Sequence, residues 1–181
     1  HFSPDSIVMW ALNKYGFIDK GFSYYGWLIA IHTAVIRVAL SFKIPLIFYG
    51  EDGEIEYGGS TRHKNRGFYG IDYMKSVYLE GGYEKVLEKV KKEFNLSDAQ
   101  LYFWKFPNEQ EIKEIDLKFT HWSYYEAWDS YRNYIVAKEH CGLKEKEMTN
   151  EGTFTNFEQN DQALYSLHAY LMYLKFGFGR A

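Results

Sequence analysis

Residues 44–60 read IPLIFYGEDGEIEYGGS, and the first half of this stretch decides the fold class. Pro45 opens a run of four apolar or aromatic residues, Leu46-Ile47-Phe48-Tyr49, and Gly50 closes it. The run is too short for a helix and rich in strand-formers. A continuous apolar run between turn residues predicts a strand buried on both faces, as in a parallel sheet. The second half is an unusual connection, in which Glu51, Asp52, Glu54 and Glu56 crowd around Tyr57 and the pair Gly58-Gly59. In open α/β sheets, ligands bind beyond the carboxyl ends of the strands, where such a loop sits. Charge alone is equally compatible with a solvated acidic turn. The tyrosine and the two glycines favour a site, because glycine permits close approach of backbone to ligand.

On the amino-terminal side, Ser3-Pro4-Asp5 predicts a helix start, with serine as N-cap and proline in the first turn. That helix is expected to run to about Tyr15, to end at Gly16, and to be mostly buried through Ile7, Val8, Trp10, Ala11 and Leu12. A second helix is predicted over 22–42, with Trp27, Leu28, Ile31, Val35, Val38 and Ala39 on its apolar stripe. His32 within it reads as an ordinary core or boundary histidine. Arg37 is placed either to meet an anion at the sheet's edge or to be solvated.

Beyond the acidic loop, Arg62, His63, Lys64 and Arg66 form a basic patch suited either to a phosphate or to pairing with the preceding glutamates. Residues 73–79 and 83–94 read as helices, and Asn95-Leu96-Ser97-Asp98 as the cap of a further short turn; this region is expected to be a surface insertion or helical subdomain. Alternating Ile115, Leu117 and Phe119 predict a second strand over 115–122. Asp129 or Ser130 caps a helix running to about His140, and a last helix over 161–176 ends at Gly177 and Gly179.

The totals exclude several classes. With 181 residues the chain reads as one domain, long enough to bury ~70% of its unfolded surface. Its 21 basic and 24 acidic residues give a net charge of −3, which argues against nucleic acid as a partner. The single cysteine, Cys141, excludes an internal disulfide framework and suits a reducing, cytoplasmic setting. No uninterrupted apolar segment reaches the ~18 residues of a membrane span. There is no G-x-x-x-x-G-K-[ST], no G-x-G-x-x-G and no G-x-S-x-G. His140-Cys141 is the one close His/Cys pair, so neither a zinc site nor a cysteine nucleophile is expected. Aromatic residues make up 20% of the chain, a surplus that suits stacking on sugars or bases. The loops left to carry chemistry are 51–59, 121–129, 151–160 and 177–180.

Four stretches together, YGEDGEIEYGGS (49–60), WSYYEAWDSYRNYIVAKEHCGL (122–143), NEGTFTNFEQND (150–161) and LMYLKFGFGRA (171–181), resemble the N-acetyl sugar amidotransferases of bacterial surface-polysaccharide (O-antigen, lipopolysaccharide) and nonulosonic-acid biosynthesis. That family belongs to the PP-loop ATP pyrophosphatases. The resemblance implies an α/β fold with a parallel-sheet core of the adenine nucleotide α-hydrolase kind, incomplete here, and a large helical portion. It implies ATP and Mg2+ as cofactors and a nucleotide-linked N-acetylated sugar as substrate. A glutaminase subunit and a synthase-like subunit would deliver ammonia. ATP would adenylate the N-acetyl oxygen, ammonia would displace AMP, and an acetamidino sugar would result. The family's S-G-G-x-D-S loop and its cysteine pairs are absent, and the resemblance implies that they lie upstream of His1, this chain being the carboxyl-terminal two-thirds of such an enzyme. By the same resemblance Glu51 and Glu151 are candidate acid–base residues. Glu56, Tyr57, Gly58, Trp128, Ser130, Asn133, Thr153, Thr155, Asn156 and Arg180 would bind nucleotide or sugar. The competing expectations are a non-catalytic nucleotide-sugar-binding module and a helical interaction domain.

Overall fold

The structure, a computed structural model, describes residues 2–50, 66–79, 82–149, 156–157 and 162–177. It is an α/β chain whose described residues form eight α-helices and a two-stranded parallel sheet. Two compact units divide it, one comprising His1–Tyr15 with Tyr25–Trp128 and the other Gly16–Tyr24 with Asp129–Ala181.

The first unit is organised by its sheet. Strand β1 (Leu46–Tyr49) pairs in parallel with β2 (Lys118–His121), with Ile47 opposite Phe119 and Tyr49 opposite His121. Successive amides of a strand point to opposite edges. On one edge of β2, Lys118 donates to the Pro45 carbonyl at 2.9 Å; on the other, Phe119 and Tyr69 exchange two backbone hydrogen bonds of 3.0 and 2.9 Å. The extended residues around Tyr69 thus pair with β2 from the side opposite β1.

Side chains of a strand alternate between faces. Ile47, Phe119 and Tyr69 pack with Ile36 and Ala39 of helix α2 (Tyr25–Ser41), and with Tyr73, Met74, Ile112 and Leu117, in one buried cluster. Leu46 and Phe48 point the other way and are 42% and 50% exposed. The expectation of a strand buried on both faces is therefore corrected: among the described residues only one face of β1 is covered.

Helix α2 corrects the expected stripe in the same manner. Leu28, Ile29, His32, Thr33, Ile36 and Ala39 face the core, whereas Trp27, Val35 and Val38 are exposed. The helix is apolar almost all round, so periodicity cannot select its inner face. Helix α1 (Ser6–Lys20) is capped by Asp5 rather than Ser3, whose predicted role passes to a carboxylate accepting from the amides of Ile7 and Val8 at 2.9 and 3.1 Å. Those bonds hold the Asp5 carboxyl below its usual range, the Val8 amide contributing most. Helix α1 is also only half buried: Val8, Ala11 and Leu12 are inside, and Ile7 and Trp10 are outside. It passes through Gly16 and stops at Gly21, where φ is +60°.

The described residues of 71–79 and 82–104 form short helices that contribute side chains to this unit's core, closer to the expected helical subdomain than to a surface insertion. Helix α3 (Ile71–Tyr73) leads into a π-helical turn, Met74–Tyr78, and is followed by α4 (Glu84–Glu93) and α5 (Asp98–Leu101). From these elements Met74, Leu87, Val90 and Leu101 are buried. Ser97 caps α5 through a box in which its hydroxyl accepts from the Gln100 amide and the Gln100 side chain accepts from the Ser97 amide. Replacing Ser97 with alanine is expected to cost about 1 kcal/mol in chemical denaturation; an unchanged midpoint would mean that the box carries none of the unit's stability. The 3₁₀ turn Tyr102–Trp104 is then fastened along α2. Thr33 donates to the Phe103 carbonyl, Arg37 Nε donates to the Lys105 carbonyl at 2.8 Å, and Trp104 Nε1 donates to the Gly26 carbonyl at 3.2 Å. The Arg37 guanidinium lies 4.0 Å from the Tyr102 ring centre, so it is occupied within the fold rather than held for an anion. Helix α6 (Glu109–Glu114), capped by Asn108 with Glu111, precedes β2.

In the second unit, α7 (Ser130–Cys141) is capped by Asp129, whose carboxylate accepts from the Arg132 amide at 2.9 Å. Gly142, at φ +72°, ends it in the left-handed conformation that glycine tolerates. Helix α8 (Gln162–Phe176) contributes buried Tyr165 and sets His168 edge-on to Phe22 and Tyr24. Lys175 donates to the Lys20 carbonyl at 2.9 Å. Among the described residues no helix is long and apolar enough to cross a membrane.

Candidate functional site

Parallel pairing brings the carboxyl ends of β1 and β2 side by side, which is where open α/β sheets bind ligands. Tyr49 and His121 are the last residues of the two strands and register partners. Their rings stack, with centres 5.4 Å apart and planes at 23°. Tyr69 meets His121 edge-on at 5.6 Å and stacks on Tyr73 at 4.3 Å. From α2, His32 presents Nδ1 at 3.5 Å from the Tyr49 hydroxyl, at the outer limit of a hydrogen bond.

Both histidines are buried and Tyr49 is half-buried. Burial, and then the nearby charge of His121, bring the His32 pKa down to about 4. His32 is therefore neutral at pH 7, able to donate from one ring nitrogen and accept at the other. Two imidazoles and two phenols at one strand end can orient a polar ligand or pass a proton, while the aromatic faces exclude water. Of this constellation the sequence points only to His121, the first residue of the 121–129 loop. His32 reads in the sequence as a core or boundary histidine, and nothing local pairs it with residue 121. The available signal was positional: Tyr49 ends one predicted strand, and His121 lies one residue before the end of the other, predicted over 115–122.

The remaining predicted residues fall into two groups. Glu51, Glu56, Tyr57, Gly58, Glu151, Thr153, Thr155 and Arg180 lie outside the described residues, as do Arg62, His63 and Lys64 of the basic patch. Trp128, in the first unit, is 36% exposed. In the second unit, Ser130 is the exposed first residue of α7, and half-buried Asn133 donates its amide to the Asp129 carbonyl at 3.0 Å. Asn156 holds a loop closed: its carboxamide donates to the Lys146 carbonyl at 2.9 Å, and its own carbonyl accepts from the Lys146 amide at 2.9 Å. Beside it Phe157 stacks on Tyr134 with centres 4.4 Å apart.

Among the described residues no group of three or more His, Cys, Asp or Glu side chains could hold a metal ion. The carboxylates proposed for the pocket are outside those residues, so no step is assigned to Mg2+. Cys141 is exposed at the end of α7. A groove of about 380 Å³ lies along another face of α2, lined by Phe2, Trp27, Ile31, Val35 and Val38 among others. Every lining residue is apolar, which makes it unsuited to a polar substrate. Comparison of the chain with protein families finds no matching family model, and comparison with curated proteins finds no significant match.

Proposed function

We propose that this chain is part of an ATP-dependent N-acetyl sugar amidotransferase and that its parallel pair belongs to a sheet of the adenine nucleotide α-hydrolase kind. The observation that carries the reading is the register of Tyr49 with His121. Two of the four stretches that resemble the family, 49–60 and 122–143, start from these adjacent strand ends. A neutral amide is a poor electrophile; adenylation from ATP supplies the leaving group that ammonia by itself cannot displace. In this reading Tyr49, Tyr69 and His121 shield the reacting carbon from water, and His32 is a neutral proton acceptor near the end of the sheet. Glu51 or Glu151 would serve as acid–base residue, with Glu56 and Arg180 in the ligand pocket. Ammonia would come from a glutaminase subunit through a synthase-like subunit.

The test supplies the natural protein that carries this chain with ATP, Mg2+, a nucleotide-linked N-acetylated sugar and ammonium. Pyrophosphate release dependent on both sugar and ammonium is expected, with an amidino product in equal amount. Glu56→Gln and Arg180→Ala are each expected to reduce it at least about tenfold. Full product formation by both variants would overturn the pocket assignment. Binding of the nucleotide-sugar with no pyrophosphate released would replace the reaction with a non-catalytic binding module.

A further inference from the structure

Helix α2 keeps an apolar stripe on the side turned away from the core. Trp27, Ile31, Val35 and Val38 follow one another at intervals of four and three residues, the spacing of a single helical face. Phe42 prolongs the line by one turn, its amide still donating to the Val38 carbonyl at 3.1 Å. Trp27, Val35, Val38 and Phe42 are 43%, 36%, 44% and 74% exposed. Along the stripe runs the groove of about 380 Å³, floored by buried Ala30 and Ala34 and lined also by Phe2, Pro4 and Met9.

A helix face that meets water ordinarily carries polar or charged residues, and a helix apolar all round belongs in an interior. Between Tyr25 and Phe42 the sole Lys, Arg, Asp or Glu is Arg37, which is engaged with the Lys105 carbonyl and the Tyr102 ring. The stripe therefore suits contact with protein better than contact with solvent.

Two properties make a second copy of this chain the occupant. The first is self-complementarity. In an antiparallel pair of identical helices related by a two-fold axis, every contact occurs twice with the roles exchanged. With the axis between Ala34 and Val35, Trp27 of one copy meets Phe42 of the other, Ile31 meets Val38, and Val35 meets Ala34. All five stripe residues find apolar counterparts in that single register. The bulky rings fall at both ends, and the small Ala34 falls at the crossing, where the backbones come closest. The second property is area. At these exposures, with Phe2 at 38% and aromatic side chains of ~150–250 Å² each, stripe and groove offer about 550 Å² per copy. A pair covers about 1,100 Å², just above the ~1,000 Å² that a specific interface requires.

We propose that this chain forms a two-fold symmetric dimer in which the α2 helices of two copies pack antiparallel through Trp27, Ile31, Val35, Val38 and Phe42. The amidotransfer proposed above plays no part in this inference.

Sedimentation equilibrium of the chain between about 0.5 and 100 μM reads the association, and the modest area sets the expected dissociation constant at about 1–50 μM. Val35→Lys places like charges together at the two-fold axis and is expected to weaken the dimer at least about tenfold. Its circular dichroism and unfolding midpoint are expected to stay unchanged, because Val35 faces outward. Phe42→Glu, at the most exposed position of the stripe, repeats the test should Val35→Lys unfold the chain. Cross-linking with a short bis-maleimide in a Cys141→Ser background reads the register. Trp27→Cys mixed with Phe42→Cys is expected to give a covalent dimer of the two variants. Neither variant alone is expected to do so, since like positions lie ~22 Å apart along the paired helices. A chain that stays monomeric at about 100 μM overturns the proposal, even if the stripe then takes up a phospholipid vesicle or a helix of another protein. A dimer indifferent to Val35→Lys and Phe42→Glu also overturns it, as does cross-linking of Trp27→Cys to itself in preference to Phe42→Cys.

Discussion

Replacing Trp104 with alanine is expected to lower the unfolding free energy by about 3–5 kcal/mol, the largest effect of any single substitution considered for this chain. The indole is 1% exposed, among the largest side chains fully enclosed in the first unit. Its Nε1 donates to the Gly26 carbonyl near the start of α2. At that point α2 lies so close to α1 that a Cβ on Gly26 would sit 2.9 Å from the Met9 carbonyl oxygen. The neighbourhood therefore has little freedom to collapse into the space an alanine would leave, and poor relaxation is what makes a cavity costly. Total stabilities of domains are about 5–15 kcal/mol, so the variant would stand near the edge of folding. Denaturant unfolding followed by circular dichroism measures this. Trp104→Phe, which keeps a ring but loses the donor, is expected to cost less than half as much. A loss below about 1 kcal/mol for Trp104→Ala would mean that the site repacks and that the indole does not anchor residues 102–106 to α2.

The second large effect is a dependence on pH. His32 has its pKa at about 4 in the folded chain, against 6.5 for an unperturbed histidine, with burial as the main cause and the charge of His121 as the lesser one. Between these values the unfolded chain binds a proton that the folded chain does not. Stability then rises with pH across that window. The His32 contribution is complete above pH 6.5 and is lost progressively as pH falls toward 4. Its span is about 3 kcal/mol, at roughly 1.4 kcal/mol per pH unit. The Asp5 carboxylate, also held below its usual range, acts in the same direction under more acidic conditions. Unfolding measured at pH 7.5, 5.5 and 4.5 is expected to show the loss, and His32→Phe to flatten it by up to one proton's worth of slope. An equal slope in the variant would show that His32 is solvated in the folded chain.

Much of the local structure was legible in the residues themselves. Pro45 and Gly50 bracket four strand-forming residues, and β1 is Leu46–Tyr49. Asp129 was recognisable as a cap because a side-chain oxygen before a helical run satisfies amides that the helix cannot. Gly177, at φ +74°, follows α8 where a left-handed residue is needed. The box at Asn108 and Glu111 was equally available as N-x-x-E after Pro107, and would have revealed α6. The amino terminus was misread because Ser3 and Asp5 are both good caps two residues apart, and only the placement of the first turn chooses between them.

The site was less legible, for a different physical reason. His32 and His121 are 89 positions apart, and their common neighbour Tyr49 belongs to a third element. No local pattern reports that meeting. Likewise, Phe48 and Trp122 carry no mark of exposure, since the same residue types fill the core elsewhere.

The amino-acid order by itself determined the bounds of β1 and of several helices, and the existence but not the start of β2, because caps, prolines and glycines act within one turn of the chain. Which faces of β1 and α2 are covered, and that Tyr49, His121 and His32 share one end of the sheet, were decided only when β1 paired with β2. That pairing joins residues some seventy positions apart, and burial at such range depends on what each face meets across space rather than on its own periodicity.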